Sequence, residues 1–478
     1  MKMIIGGKFV DASDGCVREV VNPATGLVVD TVPEATKENL DLAISLAVEG
    51  QKEWNAYPLH EKLAILEKYC LLATENTERI ARIMCEEGGK PIEQCRTEVA
   101  ANVAIFRIYN SAANTFYGKT LPYNAEVRSQ GDVAFTIHEP LGVFANIVPF
   151  NYPFELAAHK MAPMLVTGNS VVLLPSSKTP RSAVIMVALL LEAGVPAKAV
   201  SCLTGAGNVL GPQAAADKRV AAVSFTGSTR VGLSLAETCA KDLRHVSLEL
   251  GGNDPLILSE DCDYEKALSE VISGRIGNAG QTCCASKRFL VQKDIYEKFT
   301  KDLADRLANV KMGDPSDPSV ELGPCIRETA AITVEAQIQK TIQQGGKLIC
   351  GGKRRNAFIE PTVIQVSKDM DIAKDMEVFG PVFPLIPFET MEEALEIANN
   401  TCYGLSSGVM TANIKTAIQT AHGIQAGACI INGSGNYRLA HQPFGGYKLS
   451  GIGREGAVCT LEEMTQQKMI SFKGILND

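Results

Sequence analysis

No stretch of this 478-residue sequence is apolar for long enough to cross a membrane. The longest such run, residues 183–191, falls far short of the roughly 18 residues a span needs. The first fifteen residues contain too short an apolar segment for a signal peptide and read as a strand and a turn. The six histidines are scattered, and neither a CxxC pair nor a Cys/His cluster of zinc-like spacing occurs, so no metal site is expected. Basic stripes and arginine-rich tails are missing too. With a net charge of −8 and a pI of about 5.5, nucleic acid is excluded as the main partner. Tryptophan occurs once, at Trp54, and there are no internal repeats or low-complexity stretches. A soluble, cytoplasmic chain with no membrane partner is the expectation.

What is present fits an ordinary globular protein of more than one domain, since 478 residues exceed a single core. The fourteen cysteines sit mostly among small apolar residues and read as reduced, packed thiols. Residues 141–251 alternate apolar runs (143–150, 170–175, 200–204, 220–226, 245–250) with helical stretches (159–167, 181–193, 208–216, 229–241). That alternation predicts an α/β fold, a doubly wound parallel sheet whose ligands sit at the carboxyl ends of its strands. Residues 35–117 are helix-rich, with amphipathic spacing at 75–87 and 93–112. A second α/β domain is expected from 253 to 450, with strands at 288–292 and 428–432. Residues 127–138 and 467–472 read as strands that leave the main body. The predicted division is a dinucleotide-binding domain (1–119 and 141–252), a catalytic domain (253–450) and a small β oligomerisation arm (120–140 and 451–478).

The chemistry-bearing runs are Glu-Leu-Gly-Gly at 249–252 and Gly-Gln-Thr-Cys-Cys-Ala at 280–285. A thiol needs a base or a positive field to become a good nucleophile, and a carboxylate can activate the water that later releases an acyl group. Further runs follow at 148–153 (Val-Pro-Phe-Asn-Tyr-Pro), 225–232 (Phe-Thr-Gly-Ser-Thr-Arg-Val-Gly), 377–382 (Glu-Val-Phe-Gly-Pro-Val) and 443–455 (Pro-Phe-Gly-Gly-Tyr-Lys-Leu-Ser-Gly-Ile-Gly-Arg-Glu). In this order, and over essentially the whole chain, they resemble the signature blocks of the aldehyde dehydrogenase superfamily.

The resemblance implies an NAD(P)-dependent oxidation of an aldehyde to a carboxylate. Cys283 would attack the carbonyl, with Asn151 and the Cys283 backbone N–H stabilising the oxyanion and Glu249 activating the hydrolytic water. Cys284 reads as a packed neighbour. The bland reading of Glu249, a solvated surface group, stands beside the catalytic one. By the same resemblance Val148, Pro149 and Leu250 would line the cofactor cleft. Gly227, Ser228 and Gly232 would meet the pyrophosphate at a helix N-terminus, although such glycines also mark plain turns. Gly207 would pass near the adenine, Ser177 near the adenosine ribose, Glu377 at the nicotinamide ribose and Phe379 beside the ring; Glu377 could equally cap a helix. The family usually has Lys-Pro-x-Glu where this chain has Leu174-Pro175-Ser176-Ser177 followed by Lys178. Loss of the acidic group tolerates a 2′-phosphate, but Leu174 supplies no donor, so NAD is favoured slightly over NADP.

Tyr152, His159 and Arg438 would line the substrate tunnel, His159 with a core-histidine alternative and Arg438 with a surface or interface one. A polar tunnel with one cation suits a small hydroxylated or anionic aldehyde. The runs at 175–180 and 203–207 are similar to the lactaldehyde dehydrogenase branch. The alternatives are a phosphorylated, phosphono-, sulfo- or semialdehyde substrate, or acyl transfer to coenzyme A. Thr282 stands where phosphate-handling relatives often carry arginine, and Glu249 argues against CoA acylation. The projecting arm implies a homodimer or homotetramer.

Overall fold

The computed structural model describes residues 1–122 and 125–477. Two sheets carry most of the chain. The first has eight strands, in the order Lys8–Val10, Met3–Ile5, Val200–Cys202, Ser170–Leu174, Val143–Ile147, Ala222–Thr226, His245–Glu249 and Gly451–Ile452. Its five central strands are all parallel. The sequences Ser-Val-Val-Leu-Leu and Ala-Val-Ser-Phe-Thr are buried along their whole length, because helices cover both faces of the sheet. Chain order reverses between Val143–Ile147 and Ala222–Thr226, and that reversal opens a crevice at the carboxyl ends of these strands.

The second sheet runs Lys347–Cys350, Thr362–Gln365, Val382–Phe388, Ser286–Gln292, Asp254–Leu258, Gly408–Met410 and Ile430–Ile431, parallel except at its first edge. The arm pairs Val133–Pro140 antiparallel with Thr465–Phe472. Residues 127–129 form a short 3-10 turn, so the strand expected from 127 starts only at Val133. Gly451–Ile452, assigned to the arm from sequence, instead extends the first sheet beside His245–Glu249. This pairing brings residues 443–455 back across the first sheet, next to Glu249.

Two buried glutamates fix the helices that carry the crevice. Glu98 accepts from the N–H groups of Phe154 and Glu155 at 2.9 and 3.1 Å, at the start of the helix Glu155–Val166. Glu87 does the same for Arg181 and Ser182, at 2.8 and 3.1 Å, at the start of Arg181–Ala193. A carboxylate there satisfies orphan N–H groups and opposes the positive end of the helix dipole. Glu98 is itself paired with the buried Lys90, whose ammonium lies 3.6 Å from the centre of the Tyr152 ring.

Candidate active site

Cys283 sits between the turn Gly277–Gly280 and the strand Ser286–Gln292. The turn holds three successive left-handed residues, Asn278, Ala279 and Gly280, with φ of 48°, 54° and 71°. For Ala279 that conformation costs on the order of 1–3 kcal/mol, so surrounding contacts must impose it. They are visible. The Asn278 N–H donates to Gln94 Oε1 at 2.8 Å, and its side-chain amide donates to the Asn151 carbonyl at 2.8 Å. Gln281 donates to the Asn278 carbonyl at 3.0 Å and accepts from the Ile326 N–H at 2.8 Å. A Cβ at Gly280 would lie 2.3 Å from the Gly380 carbonyl oxygen. Lys287, buried, donates to the carbonyl of Cys283 itself.

Asn151 lies just past the strand Val143–Ile147, 5 % exposed, and its side-chain amide donates to the Gln281 carbonyl at 2.8 Å. That hydrogen bond uses one N–H of the amide. Cys283 packs against Cys284, Leu405 and Phe444. Cys284 and burial together hold the Cys283 thiol well above its ordinary pKa. Cys284 is buried, with its sulfur 3.7 Å from Asn436 Oδ1.

Glu249 ends the strand His245–Glu249 and is 3 % exposed, so the surface-group reading is set aside. Neither carboxylate oxygen has a hydrogen-bond partner among the described residues. Burial, reinforced by the negative charge of Glu455, pushes its carboxyl far above the ordinary range; Cys283 is close enough to add to the effect. The glycine at 445 leaves it room, since a Cβ there would stand 2.9 Å from Glu249 Oε1. Glu455 behaves in the opposite way. Lys160 at 3.1 Å and Arg438 at 2.5 Å overcome its desolvation and hold its carboxyl below the ordinary range. Lys160 also donates to Ser224 at 3.0 Å, and Arg438 lies 3.9 Å from the centre of the Phe444 ring.

Of the substrate residues expected from sequence, His159 and Arg438 meet this charge group. The Tyr152 hydroxyl is 3.3 Å from Thr282 Oγ1, one residue before the nucleophile. His159 is buried with Nδ1 unpartnered among the described residues, and burial, then Arg438, lower its pKa to about 3, so it is neutral. It is not a satisfied core histidine. Arg438 is not a surface arginine: it is paired with Glu455, a carboxylate it shares with Lys160. The one cation expected from sequence is therefore part of a three-residue group with one positive charge in excess.

Most of the residues expected at the cofactor follow the carboxyl ends of first-sheet strands, and Glu377 and Phe379 precede the strand Val382–Phe388. Ser228 caps the helix Thr229–Ala240 without a side-chain hydrogen bond to it, in contrast to the glutamate-capped helices beside it. Buried Thr226 Oγ1 just before it also lacks a partner among the described residues. Those open donors fit a pyrophosphate. Gly227 and Gly232 answer to packing: a Cβ would stand 2.4 Å from the Phe225 ring and 2.5 Å from Leu250 Cδ2. Gly207 begins the helix Gly207–Ala216 and would meet nothing within 4 Å, so its surroundings are open. Val148 and Leu250 are buried, Pro149 and Ser177 half-buried along the same sheet edge. From the second sheet, Glu377 receives the Gly252 N–H at 3.3 Å and pairs with Lys287 at 3.4 Å; no helix follows it to be capped. Phe379 meets Phe150 edge-on, ring centres 6.1 Å apart.

Sequence reasoning missed Lys160, Glu455, Lys287 and Glu155. A lysine inside the otherwise apolar Ala-Ala-His-Lys-Met-Ala run was a signal for the first. Glu455 closed a quoted block but had no visible partner along the chain.

A model of the "Aldehyde dehydrogenase family" matches residues 9–470. The lactaldehyde dehydrogenase of Methanococcus vannielii is 34% identical over 476 residues, covering 98% of this chain and 99% of the relative. A glutarate-semialdehyde dehydrogenase of Pseudomonas putida is 35% identical, covering 98% of this chain and 96% of its own length. Among solved structures, the betaine aldehyde dehydrogenase of Staphylococcus aureus in complex with NAD+ superimposes with a TM-score of 0.95 at 32% identity, covering 100% of this chain and 95% of the other.

Proposed function

The chain belongs to the aldehyde dehydrogenase family and is an aldehyde-oxidising enzyme dependent on NAD or NADP; on that premise we propose that it converts a small hydroxyaldehyde, lactaldehyde or a close relative, to its carboxylate. The observation that carries the hydrolytic half is Glu249, buried beside Cys283 with both oxygens unpartnered among the described residues. Cys283 attacks as its thiolate, which the positive charges of Lys287 and Arg438 favour against burial, and its proton passes to solvent. The sulfur bonds to the carbonyl carbon and the π pair moves to oxygen. That oxyanion accepts from the second N–H of the Asn151 amide and from the Cys283 backbone N–H. Removing one such donor costs about 10²–10³ in rate.

Ser228, Glu377 and Phe379 would hold a dinucleotide, which when bound would supply the acceptor for the hydride leaving the substrate carbon, and Cys283 would then carry a thioester. Glu249 takes a proton from water as the water oxygen bonds to the thioester carbonyl. The carbon–sulfur bond breaks, the sulfur keeps the electron pair, and the acid passes its remaining proton to that sulfur and leaves as carboxylate.

NAD is the favoured cofactor. Buried Leu174 offers a 2′-phosphate nothing, and Lys178 lies 4.7 Å from the centre of the Phe150 ring. Its charge nonetheless keeps the preference to less than about tenfold. The arm Val133–Pro140 with Thr465–Phe472 joins copies into a dimer or tetramer; a monomer in sedimentation would contradict this. Among the described residues no helix is long and apolar enough to cross a membrane. All fourteen cysteines are unpaired, in keeping with a cytoplasmic location.

The test is a panel of small aldehydes with NAD and NADP, with and without coenzyme A. Lactaldehyde with NAD should give the highest kcat/KM, and CoA should change nothing. A phosphorylated aldehyde as best substrate, or CoA-dependent turnover, would reject the reading.

A further inference from the structure

The turn entering the helix Glu155–Val166 is already helical, since the Leu156 N–H bonds to the Tyr152 carbonyl at 2.9 Å. Tyr152, Glu155 and His159, three and four residues apart, therefore share one face. Tyr152 at one end touches Thr282 beside the nucleophile, and His159 at the other lies in the fields of Arg438 and Glu455. Glu155 stands between them, only partly exposed.

The charged groups facing Glu155 are few. From the helix Ile92–Ala113 and the residue just before its capping Pro91 come Glu98 and Lys90, which neutralise one another. From the loop after Ile430–Ile431 comes Arg438, and from residues 443–455 comes Glu455, also paired. Glu455 is shared between Arg438 and Lys160, so that group keeps one positive charge.

We propose that Glu155 sets the class of aldehyde accepted: its carboxylate offsets the residual positive charge of the Arg438–Glu455–Lys160 group, so hydroxyl-tailed aldehydes enter and carboxylate-tailed ones are turned away. The inference rests on the hydroxyaldehyde reading above and extends it. It carries a pH signature, because burial, then Glu98, raises the Glu155 carboxyl to about 7. Below that value Glu155 is protonated and the field of Arg438 is uncovered; above it the repulsion is complete.

The readout is the kcat/KM for succinic semialdehyde divided by that for lactaldehyde, measured with NAD. The semialdehyde carboxylate stays ionised between about pH 6 and about pH 8, and groups that serve both substrates cancel in the ratio. In the wild-type enzyme the ratio should fall as pH rises through about 7. Glu155→Gln should raise it about tenfold at the alkaline end and flatten its pH dependence, while Glu155→Asp should keep the slope. A wild-type ratio that is flat with pH, or a Glu155→Gln ratio equal to wild type, overturns the proposal; the wild-type profile needs no variant to fold. A wild-type enzyme that prefers the semialdehyde at the alkaline end defeats the hydroxyaldehyde reading instead, and the effect of Glu155→Gln still reports on Glu155 separately.

Discussion

Two walls of one chamber treat a buried carboxyl in opposite ways. On the wall ending the strand His245–Glu249, Glu249 has no hydrogen-bond partner among the described residues, and its carboxyl is pushed up. On the wall formed by residues 443–455, Glu455 is clamped by Lys160 and Arg438, and its carboxyl is pulled down. The difference teaches that burial alone does not decide the state of a carboxyl; the partners do. A clamped carboxylate is a structural charge, while an unclamped one is free to take and release a proton.

That contrast can be broken from either side. The largest effect on rate is expected from Glu249→Gln. The proton acceptor is lost and kcat should fall by up to about 10⁴. Thermal stability should hold or rise, because an unpartnered buried carboxyl is replaced by a neutral amide. A thermal melt beside a turnover assay checks both, and a large drop in melting temperature would mean that Glu249 is clamped after all.

Glu455→Gln should do the reverse. Two buried cations lose their shared carboxylate, at a cost of about 3–5 kcal/mol in stability, visible in denaturant unfolding. Unchanged stability would erase the distinction between the walls. A smaller, sharper effect is the acid limb. Glu455 is depressed in the folded state, so its contribution is complete above the ordinary carboxylate range and is lost as pH falls through and below it. Wild type should therefore lose stability on acidification more steeply than Glu455→Gln.

Much of this was legible in the residues, and the line between legible and hidden is physical. The parallel strands announce themselves as short apolar runs, and Cys283, Glu249 and Asn151 sit in blocks whose order resembles a family. The helix Arg181–Ala193 was placed to the residue because its apolar run is long and is preceded by Pro180. The clamp was hidden. Lys160 and Glu455 are 295 residues apart in the chain, and only the crossing of residues 443–455 over the first sheet joins them. Arg438 was visible as a residue, but not as one that shares the Glu455 carboxylate with Lys160. The caps of Glu98 and Glu87 were equally hidden, since each reaches a helix start more than fifty residues away.

The most direct test of the account is chemical. Glu249→Gln enzyme mixed with lactaldehyde and NAD, quenched in acid and mapped by peptide mass, should carry an acyl group on the sulfur of Cys283, formed with about one equivalent of reduced dinucleotide per site. An adduct on Cys284, or dinucleotide reduced with no adduct on any cysteine, would contradict it.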